Sequence, residues 1–240
     1  ECSNSDSTIE AQGKLTVDTK DYAYLGGYVG YGYSLENCHN AVSLTYSLSA
    51  SHVGGLAGRL SGPTVKDCSN SGVISAGQSD YTGGLVGELS TGSPFTLTDL
   101  TNTGRVQGHD YTGGLFGRAY AGYNTRSDSA FTATVARLTN NGAVSGNQYV
   151  AGLMGQLVAT AWWDSNWHPS IIVSASEWHN CGDVTAQHAS TVAGLVFRVE
   201  TNNAGSKLTN YSNTGLLNGS SASENALFGS ATNFTVAKQS

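Results

Sequence analysis

Charge is what this sequence has least of. Only 12% of its 240 residues are Asp, Glu, Lys or Arg, about half the share near 25% that a globular domain carries. The balance is −6, and its few Lys and Arg form no basic stripe, so nucleic acid is not expected as a partner. No run is long and apolar enough to span a bilayer. No stretch keeps apolar positions three and four apart, so helices are not expected. Proline occurs three times and cysteine four. Cys2, Cys38 and Cys68 stand about 30 residues apart, without the short-range pairing of a zinc site. No nucleophile–base or metal-ligand spacing stands out, so neither an enzyme nor a cofactor is expected.

Glycine is plentiful, at 31 residues, and it recurs in order. Tyr81-Thr82-Gly83-Gly84-Leu85-Val86-Gly87 has relatives at Leu25–Gly30, Val53–Gly58, Thr112–Gly117, Val150–Gly155, Val192–Phe197 and Ala226–Gly229. From Gly26 to Gly54 is 28 residues, then 29 to Gly83, 30 to Gly113, 38 to Ala151 and 42 to Ala193. Between copies lies a second motif, Cys68-Ser69-Asn70-Ser71-Gly72-Val73, whose relatives carry Asn4, Asn40, Asn102, Asn140, Asn180 and Asn213. Two short apolar stretches per unit cannot bury themselves and must stack on neighbouring units. The expected fold is therefore all-β: one domain over residues 1–240, a parallel β-solenoid of about seven coils, roughly 30–35 Å long at the ~4.8 Å strand spacing. Asn at a coil corner tolerates left-handed angles and bonds its own backbone, so the seven asparagines are expected to form one axial ladder.

Stacking arranges other residues in columns. Cys2, Cys38 and Cys68 are continued by Leu100, Leu138, Trp178 and Tyr211, an inward column in which the thiols either pack as small hydrophobes or form one bridge. Cys181 lies one column over. Tyr24, His52, Tyr81, Tyr111 and Tyr149 form an outer column, either a binding strip for glycans or proteins or ordinary cross-coil stacking. Arg59, Glu88 and Arg118 read as a solvated face. Two insertions, residues 119–134 and 156–176, leave from the same point of adjacent units and should emerge side by side on one lateral face. The second brings Trp162, Trp163 and Trp167 together, as a lid or a recognition surface. Asp164, His168 and Glu177 have no fixed separation, on which glycoside hydrolysis depends. Asn218 and Asn233 are possible glycan acceptors, and Asn210, beside the core column, a poorer one.

The alternation of Gly83–Gly87 with Asn102, Gly104 and Val106, and of Gly113–Gly117 with Asn140, Gly142 and Val144, resembles the GLUG-motif repeats of large secreted and surface-anchored proteins. Ala151, Ala193, Phe197 and the insertions depart from the pattern. The resemblance implies β-solenoid surface architecture and no chemistry. It points to an extracellular or cell-surface structural or adhesive protein; the alternative is a carbohydrate-binding module or carbohydrate-active enzyme using the Trp-rich insertion. The chain opens in the second motif and stops short of it after Phe234-Thr235-Val236-Ala237-Lys238. Head-to-tail assembly through Glu1–Ser5 of another copy is one expectation from that phase, and a longer parent protein the other.

Overall fold

A computed structural model describes residues 24–46, 52–124, 130–162, 170–221 and 226–237. Asn4, Cys2, Trp163, Trp167, Asp164, His168 and the expected contact of Glu1–Ser5 lie outside them. Each of the first six units of the sequence makes a coil with strands in all four sheets, the seventh adds strands to two of them among the described residues, and equivalent strands of successive coils pair. Coil 3 is representative: Thr82–Gly83 in sheet 1, Val86–Thr91 in sheet 2, Thr96–Asn102 in sheet 3 and Val106–Gln107 in sheet 4. The architecture is a parallel β-solenoid.

The register follows the repeat. In sheet 2, Val29, Ala57, Val86, Phe116, Met154, Val196 and Phe228 pair in turn. In sheet 3 the matching row is Leu35, Val65, Leu97, Val135, Ala175, Leu208 and Val236. Both rows, apart from the last residue Val236, pack into the larger of two cores, between sheets 2 and 3. A smaller core, with Val53, Ile74, Val106, Val144, Val150 and Val184, lies between sheets 1 and 4.

The two cores are separated by a line of buried amides. Asn40 donates from Nδ2 to Oδ1 of Asn70 at 2.7 Å, Asn70 to Asn102 at 2.9 Å, Asn102 to Asn140 and Asn140 to Asn180 at 2.8 Å, and Asn180 to Asn213 at 2.6 Å. The other Nδ2 proton goes to the carbonyl two residues on, Gly72 O for Asn70 and Gly104 O for Asn102. Asn70 Oδ1 also accepts from Gly72 N, so both its donors and both its acceptor sites are filled. The second glycine of the Gly-Gly motif presses on this line from the far wall. A Cβ on Gly84 would come within 2.7 Å of Asn102 Cγ and 2.2 Å of Gly114 O. The two motifs of the sequence thus meet at a waist too narrow for a side chain. Replacing Asn102 by Leu should lower stability by about 1–3 kcal/mol, because its ladder partners lose their match in a dry site; a denaturant titration measures it. An unchanged midpoint would mean that the line adds nothing to stability.

Sheet 3 carries a second repeated feature. Asn37, Asp67, Asp99, Arg137, Glu177 and Asn210 all have φ between 50° and 60°. Pairing skips them on both strands and keeps register, from Lys66–Thr98 to Cys68–Leu100, so each coil bends here at one left-handed residue. The skip turns Val65 and Cys68 inward although they are three residues apart. Cys38 and Cys68 are buried, and their thiols donate to Glu36 O and Lys66 O. No bridge joins them, and the packed-thiol alternative describes this pair. Trp178 is sealed in the same column, its Nε1 donating to Val135 O at 2.9 Å.

The two insertions differ in form from side loops. They lengthen sheets 2 and 3 instead, through Phe116–Asn124 and Ala130–Asn140 in coil 4 and Met154–Trp162 and Ser170–Asn180 in coil 5. The extra segments pair with each other across the two coils, from Ala119–Leu157 to Asn124–Trp162 and from Ala130–Ser170 onward. They form a fin, dry inside through Ala121, Ala133, Ala159, Ile171 and Val173. Small residues dominate its interior, which lets the two layers close on each other without a wide core.

At the C-terminal side, sheet 4 changes direction. Ser220–Ser221 pairs antiparallel with Leu216–Leu217. The link is Asn218-Gly219, with φ of 47° and 78°, the two left-handed residues of a tight hairpin. Sheets 2 and 3 run on in parallel to Phe228–Thr232 and Phe234–Val236.

Candidate functional site

Two columns stand next to each other on the outside of sheets 1 and 2. The first is a stack of rings. Ring centroids are 5.0 Å apart for Tyr24 and His52, 5.1 Å for His52 and Tyr81, 5.1 Å for Tyr81 and Tyr111, and 4.7 Å for Tyr111 and Tyr149. The next ring comes from sheet 2, where Phe197 lies 5.1 Å from Tyr149; this residue replaces the last glycine of its motif. Tyr81, Tyr111 and Tyr149 have φ of 47°, 52° and 58°, a backbone that costs a bulky residue about 1–3 kcal/mol and persists because the stack fixes it. Each of the three rings is covered by neighbours above and below. The column therefore offers ring edges and phenol oxygens to the outside, and a sugar that needs a flat aromatic face finds it occupied. Burial pushes the Tyr81 and Tyr111 hydroxyls above the usual phenol range, so they remain neutral donors.

The second column is Tyr31, Arg59, Glu88, Arg118, Gln156 and Arg198. The expectation of a solvated face fails at its centre, since Glu88 is only 5% exposed. Its Oε2 lies 3.1 Å from His52 Nε2 and 3.1 Å from Arg59 Nε, and its Oε1 accepts from Arg118 Nη1 at 3.1 Å. Arg59 also donates to the Tyr24 hydroxyl at 3.1 Å, and Arg118 lies 4.6 Å from the centre of the Tyr120 ring. Arginine stems and rings cover the carboxylate, which a reading of charge alone does not anticipate. Burial by itself would raise the Glu88 pKa, but the His52 hydrogen bond and the charges of His52, Arg59 and Arg118 outweigh it and hold the carboxyl below its ordinary value. The signal in the sequence was the histidine interrupting a tyrosine column one coil below a glutamate.

A polar cluster absent from the sequence reading gathers at the turn into sheet 1. His109 Nδ1 is 3.0 Å from Asp80 Oδ1 and 3.5 Å from Asp110 Oδ1. Asp80, His109 and Asp110 present three ligand atoms within 4.8 Å of one another. Both Asp110 oxygens already accept, from Asn147 Nδ2 and Gln148 Nε2 at 2.9 Å each. A cation there would compete with those amides. Asp80 lies one coil from the other two, so linear spacing gave no sign of the cluster.

The remaining candidates fall in separate places. Trp162 is the last residue of its fin strand, paired with Asn124. Asn218 is the hairpin residue, and its Oδ1 accepts from Ala186 N at 2.8 Å. Asn233 donates from Nδ2 to Thr201 O at 3.0 Å, which ties down the nitrogen that a glycan would need. Glu177 and Asn210 occupy the left-handed column of sheet 3, where Arg137 and Asp99 pair at 2.5 and 2.8 Å in the open; the Arg137 hydrogen bond lowers the Asp99 pKa.

Residues 49–75 carry a GLUG motif. That span reaches the end of Ile74–Ser75 and takes in His52–Gly54, Ala57–Leu60 and Thr64–Asn70, so one motif corresponds to one turn of this solenoid. No curated protein matches the chain, and no solved structure does.

Proposed function

We propose that this chain is an extracellular structural and adhesive module, a stiff stack of coils that carries a fin on one side. The observation that supports this reading most is the unbroken seven-level register of sheets 2 and 3. It continues while the perimeter of coils 4 and 5 grows, so the scaffold tolerates a projecting surface without losing its own packing. In this reading adhesion belongs to the fin and to the tryptophan-rich stretch of sequence that follows Met154–Trp162, rather than to the tyrosine stack, whose ring faces are covered. No catalytic step is assigned. No helix among the described residues is long and apolar enough to cross a membrane.

The test removes the fin in matched layers, residues 122–131 together with 160–171, and measures attachment to surfaces coated with glycans or with surface proteins. The shortened protein should keep its β circular dichroism and lose attachment. Equal attachment by both forms, or none by the intact protein, would sink the adhesive half of the proposal. Specific glycan binding that disappears when Trp162, Trp163 or Trp167 is replaced would move the reading to a carbohydrate-binding module; turnover of a polysaccharide would make it an enzyme. End-to-end filaments belong to the same proposal for sheets 2 and 3 alone, because no described strand pairs with the outer edges of Phe228–Thr232 and Phe234–Val236 and open edges are templates for pairing. Sheet 4 is turned back by its hairpin. Sedimentation of the intact protein as monomer at high concentration would remove filaments from the reading.

A further inference from the structure

The outer corner between sheets 4 and 1 holds a groove of about 260 Å³ that runs up coils 2 to 5. It is built in two rows that follow the repeat. Gln107, Ser145 and Thr185 pair in register along sheet 4. His109, Asn147 and Gln187 stand two residues further on in coils 3, 4 and 5. Every non-glycine residue lining the groove is polar, and Arg105 is the one residue there with a permanent charge. Gly77 lines the same space, and its glycine is not demanded by packing. A Cβ there would touch nothing nearer than Gln107 Nε2 at 3.4 Å, whereas a Cβ on Gly55, Gly84 or Gly114 would strike backbone at 2.2 Å.

We propose that this groove binds a neutral saccharide. No aliphatic side chain lines it, and a purely apolar ligand would leave its amide and hydroxyl groups unmatched. Amide and hydroxyl groups both donate and accept, as sugar hydroxyls do, so neighbouring hydroxyls can be matched in either sense. An extended peptide running up the groove fits less well. Its same-side backbone groups recur about every 6.7 Å, against ~4.8 Å from coil to coil. A polyanion is not favoured either, since Arg105 is the one permanent positive charge in the lining and Asp80 and Asp110 stand against His109. The volume suits about one sugar ring, with the rest of an oligosaccharide outside. The site is separate from the fin, so its failure and the failure of the proposed function are independent.

The experiment follows the side-chain amide resonances of Gln107, Asn147 and Gln187 in the full chain by nuclear magnetic resonance. The titrants are cellotriose, mannotriose and chitotriose, beside trigalacturonate and an Ala-Ser hexapeptide. At least one neutral trisaccharide should shift these resonances, and Gly77→Trp should weaken that binding about tenfold or more, equivalent to at least 1.4 kcal/mol. Gly77→Trp fills the groove and is expected to leave thermal unfolding unchanged; if it does not fold, Gln187→Ala, on an exposed side chain, replaces it and should weaken binding in the same direction. Silence towards all three neutral sugars, shifts that survive the groove variant, or a response confined to the hexapeptide or to trigalacturonate would each overturn the proposal.

Discussion

Gly114→Ala should leave little folded protein, although it adds a single methyl group. A Cβ at that position would lie 2.2 Å from Gly152 O and 2.4 Å from Asn140 Cγ. Neither neighbour can yield. Gly152 O belongs to the next coil's backbone, and Asn140 is held by hydrogen bonds to Asn102, Asn180 and Gly142. Relief would require coils 4 and 5 to separate or the amide line to break at its middle. The expected cost is about 4 kcal/mol or more, the range kept for a failure of packing at a site that cannot relax. Gly92 is the matched control, since a Cβ there would meet nothing within 4 Å; Gly92→Ala should melt like the parent. If both variants melt alike, the waist is looser than its distances say.

Glu88→Ala should rank next. Removing one partner of a sealed charge group costs about 3–5 kcal/mol. Arg59 and Arg118 keep 31% and 26% of their side chains exposed and can turn partly to water, which places the expectation near the lower end, about 3 kcal/mol. His52, only 6% exposed, has no such exit. The pH dependence is a sharper test. The folded carboxyl lies below its ordinary value, so its contribution is complete above the unfolded carboxylate pKa. It is lost as the pH falls through the folded one. The stability gap between parent and Glu88→Ala should therefore narrow on acidification below the usual carboxylate range. A gap that stays constant from neutral to strongly acidic pH would mean that the ionised carboxylate is not what holds these three coils together.

Much of the fold was legible because the repeat writes the same contact several times over. Asn40, Asn70, Asn102, Asn140, Asn180 and Asn213 are about 30 to 40 residues apart, yet the structure brings them into one line, since stacking converts an equal place in the repeat into adjacency. The glycine motif beside them could be located but not explained from sequence, because its reason is the distance across the coil. The charged column shows where column reading stops. Arg59, Glu88 and Arg118 were aligned correctly, and whether they are wet depends on rings contributed by another sheet. Asp80 and Asp110 hold the same place before Tyr-Thr-Gly-Gly in neighbouring units, so their stacking was readable from the repeat; the cluster was missed because it is completed by His109, a histidine with no counterpart in the neighbouring units. The strand form of the fin was not legible, because length alone does not tell a loop from a longer strand. Ala133, Ile171 and Val173 carry strand-compatible side chains, and two neighbouring coils that lengthen together can pair their excess.

The amide line of Asn40 to Asn213 has a direction. Every Nδ2 gives its axial proton towards the coil of higher number, so the side-chain dipoles point one way and add. Along an α-helix the backbone does the same and leaves partial charges of about half a unit at its two ends. Here the positive end faces the last coil and the negative end the first, inside a wall of low polarisability where such dipoles reinforce each other, by about 10–30% per bond. The solenoid is thus electrically polar along its axis, independently of its ionised residues. Two such stacks meeting end on would attract in one orientation and repel in the other.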